Sequence, residues 1–140
     1  MKNIIKTQTK GFTLVELMVV ISIVAVLATI GFTLFQNTQA SARDAKRRLD
    51  VDAMANTLET RFDATTGTYQ TSLVADWFSD KTVPVDPLNN GSYQYLTHQT
   101  LSATEFKICA LLEKGGGNFS DAGTTPVSGG DYYCKLSQQK

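Results

Sequence analysis

Three hydropathy regimes follow one another along the chain. Residues 12–35 (FTLVELMVVISIVAVLATIGFTLF) are apolar almost throughout and carry a single charged side chain, Glu16. About 24 residues of this kind, helical at ~1.5 Å per residue, match the ~30 Å hydrocarbon core of a bilayer. Residues 36–64 are polar but contain neither Gly nor Pro. Within them Val51, Met54, Ala55, Leu58 and Phe62 recur at i, i+3, i+4, i+7 and i+11, one face of an amphipathic helix, with Ala42, Ala45 and Leu49 leading into it. The two stretches together predict a single helix from Phe12 to Ala64, roughly 80 Å long at 1.5 Å per residue. Only its second half has a domain to pack against, so the first half needs lipid or other copies of itself as a cover.

Beyond residue 64 the pattern shortens. Gly67 is placed to end the helix in a left-handed cap. Residues 71–78 read as a short helix or turn with Trp77 and Phe78 in the core. Residues 88–92 (LNNGS) carry the Asn-Gly turn signal, and residues 93–97 alternate as a first strand. Residues 104–113 predict the strongest strand, with Phe106, Ile108 and Ala110 on one face and Lys107, Cys109 and Leu111 on the other; a short helix is the alternative. Residues 114–130 read as a glycine-rich loop, and residues 131–136 as the last strand.

Charge orients the chain. The 140 residues hold 13 basic and 13 acidic side chains, a formal balance of zero. Lys2, Lys6 and Lys10 all precede the apolar block, and the next basic residue is Arg43. That bias keeps the N-terminus cytoplasmic and exports the remainder. Without the three leader lysines the balance is 10 basic to 13 acidic, or −3, so no general nucleic-acid surface is expected. The charged run from Arg43 to Asp52 reads either as a solvated helix face with pairs such as Asp44–Arg48 or as intersubunit salt bridges. Contact of its basic residues with acidic lipid headgroups is a further reading. Cys109 and Cys134 are the only cysteines. In an exported domain they allow one disulfide, the alternative being two reduced, buried thiols.

Glu16 has no cationic partner within the apolar block, and an unpaired acid there costs on the order of 2.5–3.5 kcal/mol at mid-span. A cut between Gly11 and Phe12 creates one: the new amine at Phe12, of the same chain or of a neighbour. Lys10-Gly11-Phe12-Thr13-Leu14-Val15-Glu16 resembles the cleavage and methylation motif of type IV prepilins and type II secretion pseudopilins. The resemblance implies cleavage after Gly11, N-methylation of Phe12 and an assembly role for Glu16, with a prepilin peptidase/methyltransferase and a pilus or secretion assembly platform as partners. It also implies a pilin-like α+β fold, in which a long N-terminal helix packs on a small antiparallel β-sheet. The corresponding division is leader 1–11, transmembrane and filament-core helix 12–35, amphipathic extension 36–66, and globular head 67–140 with a C-terminal disulfide-bounded loop (Cys109, Cys134). The cysteine-bounded region is often the variable exposed surface in that family.

The function expected is that of a type IV pilus filament subunit. It is anchored in the cytoplasmic membrane before assembly and placed outside the cell or in the periplasm afterwards. Asp86-Pro87 followed by Gly91 and Tyr93-Gln94-Tyr95 resembles a segment of major pseudopilins and of many short bacterial pilins, which keeps a type II secretion role as the alternative. A minor or competence pilin that binds DNA is a third reading, but Lys107, Lys114, Lys135 and Lys140 are too scattered to favour it. Gly31 is the expected weak point of the apolar helix, where an assembled filament should melt or bend.

Catalytic patterns are absent. His98 is the only histidine, no Gly-x-Ser-x-Gly occurs, and Gly115-Gly116-Gly117 lacks the lysine and hydroxyl of a phosphate loop. No enzyme activity and no cofactor are expected. Asn118, Asp121 and Asp131 offer oxygens suited to calcium, without a recognised spacing. Asn90-Gly91-Ser92 and Asn118-Phe119-Ser120 fit the Asn-x-Ser pattern, to which no glycan is assigned.

Overall fold

A computed structural model describes residues 11–95, 99–120 and 126–139. The chain divides into two compact units, Met1–Asn37 and Thr38–Lys140. One α-helix, α1 (Leu14–Thr60), contributes to both.

In the first unit, α1 is helical without interruption through Gly31. Leu14, Leu17, Ile21, Val24, Leu27 and Leu34 are all exposed. Ser22 Oγ donates to Met18 O (2.7 Å) and Thr29 Oγ1 to Val26 O (2.8 Å), so both hydroxyls are satisfied by their own helix, as an apolar surrounding demands.

In the second unit, α1 lays Val51, Met54, Ala55 and Leu58 against Tyr69, Tyr95, Phe106, Ile108 and Ala110, all of them buried. This is the predicted apolar stripe and the predicted inner face of the central strand. Among the described residues five strands follow: β1 (Gln99–Leu101), β2 (Phe106–Leu111), β3 (Gly117–Phe119), β4 (Pro126–Gly130) and β5 (Tyr132–Leu136). They form one antiparallel sheet in the order β1-β2-β5-β3-β4. The α+β expectation, a long helix on a small antiparallel sheet, is the architecture found.

Several local expectations need correction. The helix ends at Thr60, not Ala64. Asp63 stops it: its Oδ1 accepts from Thr65 N (2.8 Å) and Thr66 N (3.3 Å), and its backbone bridges to Thr68. A side chain that bonds its own following amides competes with helix propagation. Gly67 does take φ +66°, but in this turn, where its N–H donates to Asp63 O (2.7 Å), rather than in a helix cap. Residues 71–78 contain only a single 3₁₀ turn, Ala75–Trp77. Trp77 and Phe78 are half-buried and pack on the core's flank. Residues 93–95 are not a strand; Tyr93 makes an isolated bridge to Asn90 and Tyr95 turns into the core. Leu96, Thr97 and His98 lie outside the described residues, and the first strand starts at Gln99.

The supposed loop 114–130 contains β3 and β4. Their glycines, poor strand formers by propensity, are the reason the strands can pair. A Cβ at Gly117 would lie 1.9 Å from Tyr132 O, and one at Gly130 2.0 Å from Phe119 O. Only backbone fits at that separation.

Candidate functional site

At the start of α1 the helix is closed by a capping box. Thr13 N and Thr13 Oγ1 each donate to Glu16 Oε2 at 2.8 Å, and Glu16 N donates to Thr13 Oγ1 at 3.2 Å. Gly11 and Phe12 precede it outside the helix; Phe12 is 92% exposed. The bond at Gly11–Phe12 is therefore in exposed backbone ahead of the helix, and the Glu16 carboxylate reaches back to Thr13 N, the next residue after Phe12.

A second constellation lies in the second unit. Arg47 is fully buried among three carboxylates. Its Nε donates to Asp86 Oδ2 (2.6 Å) and its Nη2 to Asp86 Oδ1 (3.1 Å), while Nη1 donates to Asp44 Oδ1 (2.8 Å) and Glu113 Oε1 (2.7 Å). The Tyr93 ring lies over the guanidinium, 4.5 Å from Cζ. Arg43 grips Glu113 with two bonds, 2.7 and 2.6 Å. Asp44 also accepts Glu113 N (2.9 Å) and Lys114 N (3.0 Å), so one helix side chain holds the chain just after β2.

These contacts set the protonation states. Bonds from Arg43 and then Arg47, against burial, lower the Glu113 carboxyl from 4.5 to about 2. Burial disfavours the Arg47 charge, but the bonds to Asp86, Glu113 and Asp44 outweigh it and raise its pKa. Burial, with Asp50 accepting its hydroxyl, raises Tyr95.

The rest of the charged run is also consumed within the head. Lys46 pairs with Asp50 (3.2 Å), and Arg48 donates to Gly116 O (2.9 Å) and lies over the Tyr133 ring. Asp52 accepts Tyr133 Oη (3.0 Å) and pairs with Lys135 (3.4 Å). Lys46–Asp50 is an i,i+4 pair of the expected kind on a solvated part of the helix, whereas Arg43, Asp44, Arg47, Arg48 and Asp52 are engaged by the head itself. The pair that forms is Asp44–Arg47, three residues apart, not Asp44–Arg48. The available signal was phase: Arg47 and Asp44 extend the Val51 stripe backwards by one and two turns. Conversely, Ala42, Ala45 and Leu49 do not join the buried face; all three are exposed, Leu49 by 69%.

Cys109 and Cys134 form a disulfide between directly opposed residues of β2 and β5. Both are buried with Phe119 in a small second cluster. Asn118 is committed beside them: its Nδ2 donates to Cys134 O (2.8 Å) and its Oδ1 accepts Cys134 N (2.7 Å). That carboxamide straps β3 to β5, which the calcium reading had not foreseen. Asp131 is exposed, Asp121 lies outside the described residues, and among the described residues no cluster of His, Cys, Asp or Glu is arranged to hold a metal.

The family model for the prokaryotic N-terminal methylation motif matches residues 6–32. That motif is the prepilin signature of type IV pilins and pseudopilins, and this chain carries it in the segment that holds Gly11, Phe12 and Glu16. No curated protein and no solved structure matches the chain. Pilin-type proteins bearing the motif are as a rule structural rather than enzymatic, and the apolar helix that follows it is long enough for a membrane anchor.

Proposed function

We propose that the protein is a structural subunit of a type IV pilus filament, made as a membrane-anchored prepilin. The observation that carries this is the methylation motif continuing directly into an exposed apolar helix. Cleavage after Gly11 frees the Phe12 amine, which is then methylated by the prepilin peptidase. In the membrane the amine and the Glu16 carboxylate offset each other's desolvation. When a neighbour's amine meets Glu16, the pair also sets the axial stagger of the two helices. Apolar faces of many copies then cover one another, and the exposed Leu49 side of α1 offers a further contact between copies. Gly31, where a Cβ would meet nothing within 4 Å, is the place for the assembled helix to melt or bend.

Partners on this reading are the peptidase, an assembly platform, the cytoplasmic membrane and further copies of the chain. The protein starts with a cytoplasmic N-terminus and ends in a filament outside that membrane. No enzyme activity and no cofactor belong to the proposal, and melting insensitive to calcium is expected.

N-terminal mass analysis of membrane-purified protein tests the processing: the expected chain begins at methylated Phe12, and retention of residues 1–11 in the functional protein would overturn the reading. Glu16→Ala should abolish or sharply reduce filaments while insertion persists.

A major pseudopilin of a type II secretion system is the second reading. It is favoured by the Asp86-Pro87 and Tyr93-Gln94-Tyr95 segment, whose Asp86 and Tyr93 both engage Arg47. A deletion strain separates the two: loss of surface fibres supports the pilus subunit, and loss of protein secretion the pseudopilin.

A further inference from the structure

Asn90-Gly91 stands apart from every other asparagine site in the head. Asn90 and Gly91 are both exposed in the turn that Tyr93 N closes onto Asn90 O at 2.9 Å. Asn89 and Gly91 take φ of 45° and 51°, conformations that Asn and Gly tolerate best. The position where a Gly91 Cβ would project has nothing within 4 Å. Gly91 thus sets no side chain beside its nitrogen, and the space such a side chain would fill is open. Asn118 is the internal contrast. Its carboxamide is held at both ends by the Cys134 backbone, and the residue after it is the buried Phe119.

We infer that Asn90 is a site of spontaneous succinimide formation, a covalent modification that ages the turn holding Tyr93 over Arg47. The Gly91 amide nitrogen gives up its proton to solvent base and attacks Asn90 Cγ. The N–Cγ bond forms, the bond from Cγ to the side-chain nitrogen breaks, and ammonia leaves. Water then opens the five-membered imide at either carbonyl, giving aspartate or isoaspartate. The net change consumes one water and releases one ammonia, with no oxidant or catalyst. Both products add a carboxylate, and isoaspartate also routes the main chain through the former side chain, lengthening the turn by one methylene. Tyr93 sits three residues on, its ring 4.5 Å from the Arg47 guanidinium carbon. The longer turn therefore draws Tyr93 off the buried cluster. An exported filament subunit has no cytoplasmic repair available, so the modification accumulates with the age of the fibre.

The test uses the full chain in detergent micelles, held at 37 °C in mildly alkaline buffer and sampled over days. Peptide mass mapping with isoaspartate labelling should find amide-to-acid conversion at Asn90, with isoaspartate present, and none at Asn118. Gly91→Ala should suppress the conversion, because a Cβ then crowds the attacking nitrogen. The aged wild-type chain should melt below the fresh chain, and the aged Gly91→Ala chain should not shift from its own fresh value. An unchanged Asn90 in the folded chain, under conditions that convert the same site in the denatured chain, would overturn the site. Equal conversion in wild type and Gly91→Ala would exclude the Gly91 nitrogen. Conversion without any loss of melting temperature would exclude the coupling to the Arg47 cluster.

Discussion

Arg47 and Asp86, thirty-nine positions apart in the chain, meet in two hydrogen bonds of 2.6 and 3.1 Å with both side chains buried. The pair joins the amphipathic part of α1 to the segment after Val83-Pro84-Val85. Asp86 is itself shaped for this, since its Oδ1 also accepts Leu88 N at 2.8 Å. Removing the guanidinium leaves Asp44 and Asp86 buried without their cation, while Glu113 keeps only Arg43. Arg47→Ala should therefore cost ~3–5 kcal/mol, the range for breaking a buried pair from one side. Denaturant unfolding of the detergent-solubilised chain measures it. Asp86→Asn, which keeps shape and hydrogen bonding, should cost less.

Acid should loosen the same region from another side. The folded state holds Glu113 as a carboxylate down to about 2, whereas the unfolded chain protonates it near 4.5. A group whose pKa is depressed by folding contributes stability that is complete above the unfolded value and lost as pH falls through the folded one. Melting temperature should thus show no change from this group near neutrality and should fall between pH 4.5 and 2. Glu113→Gln should start lower and lose less over that window. Melting curves for both proteins across the pH series read the difference.

The disulfide closes a segment with a sequence separation of 25. The loop-closure estimate assigns ~3 kcal/mol to a bond of this span. The double variant Cys109→Ser, Cys134→Ser should lose up to that amount in denaturant unfolding. The β2–β5 register should persist, because Phe106, Ile108 and Ala110 still bury against α1.

Gly117→Ala should be far more damaging than its size suggests. The new methyl would sit 1.9 Å from Tyr132 O, a backbone atom that cannot turn aside. A loss of at least ~1–3 kcal/mol is expected from such overpacking. Hydrogen exchange should locate it, with protection falling in β3 and β4 while α1 keeps its own. Gly31→Ala, where a Cβ has open space, should by contrast raise helix stability by up to ~1 kcal/mol.

Much of this protein was written in one-dimensional periodicity. The apolar run, the Gly11-Phe12 junction, Glu16 and the Val51–Leu58 stripe are local patterns, and each needs only neighbours within a turn or two to express itself. The alternation Phe106–Ile108–Ala110 placed the central strand for the same reason. The end of α1 was missed because Asp63 bonds its own following amides, a competition that apolar spacing does not register. What only the tertiary structure decided concerns partners far apart in sequence. Charges at Asp44 and Arg47 could have faced water, lipid or another copy. They turn inward because Asp86 and Glu113 arrive from elsewhere to satisfy them, and a buried charge is stable only where such partners converge. Gly117 and Gly130 read as loop because glycine is a poor strand former alone, yet the close approach of β3 to its neighbours leaves room for nothing larger.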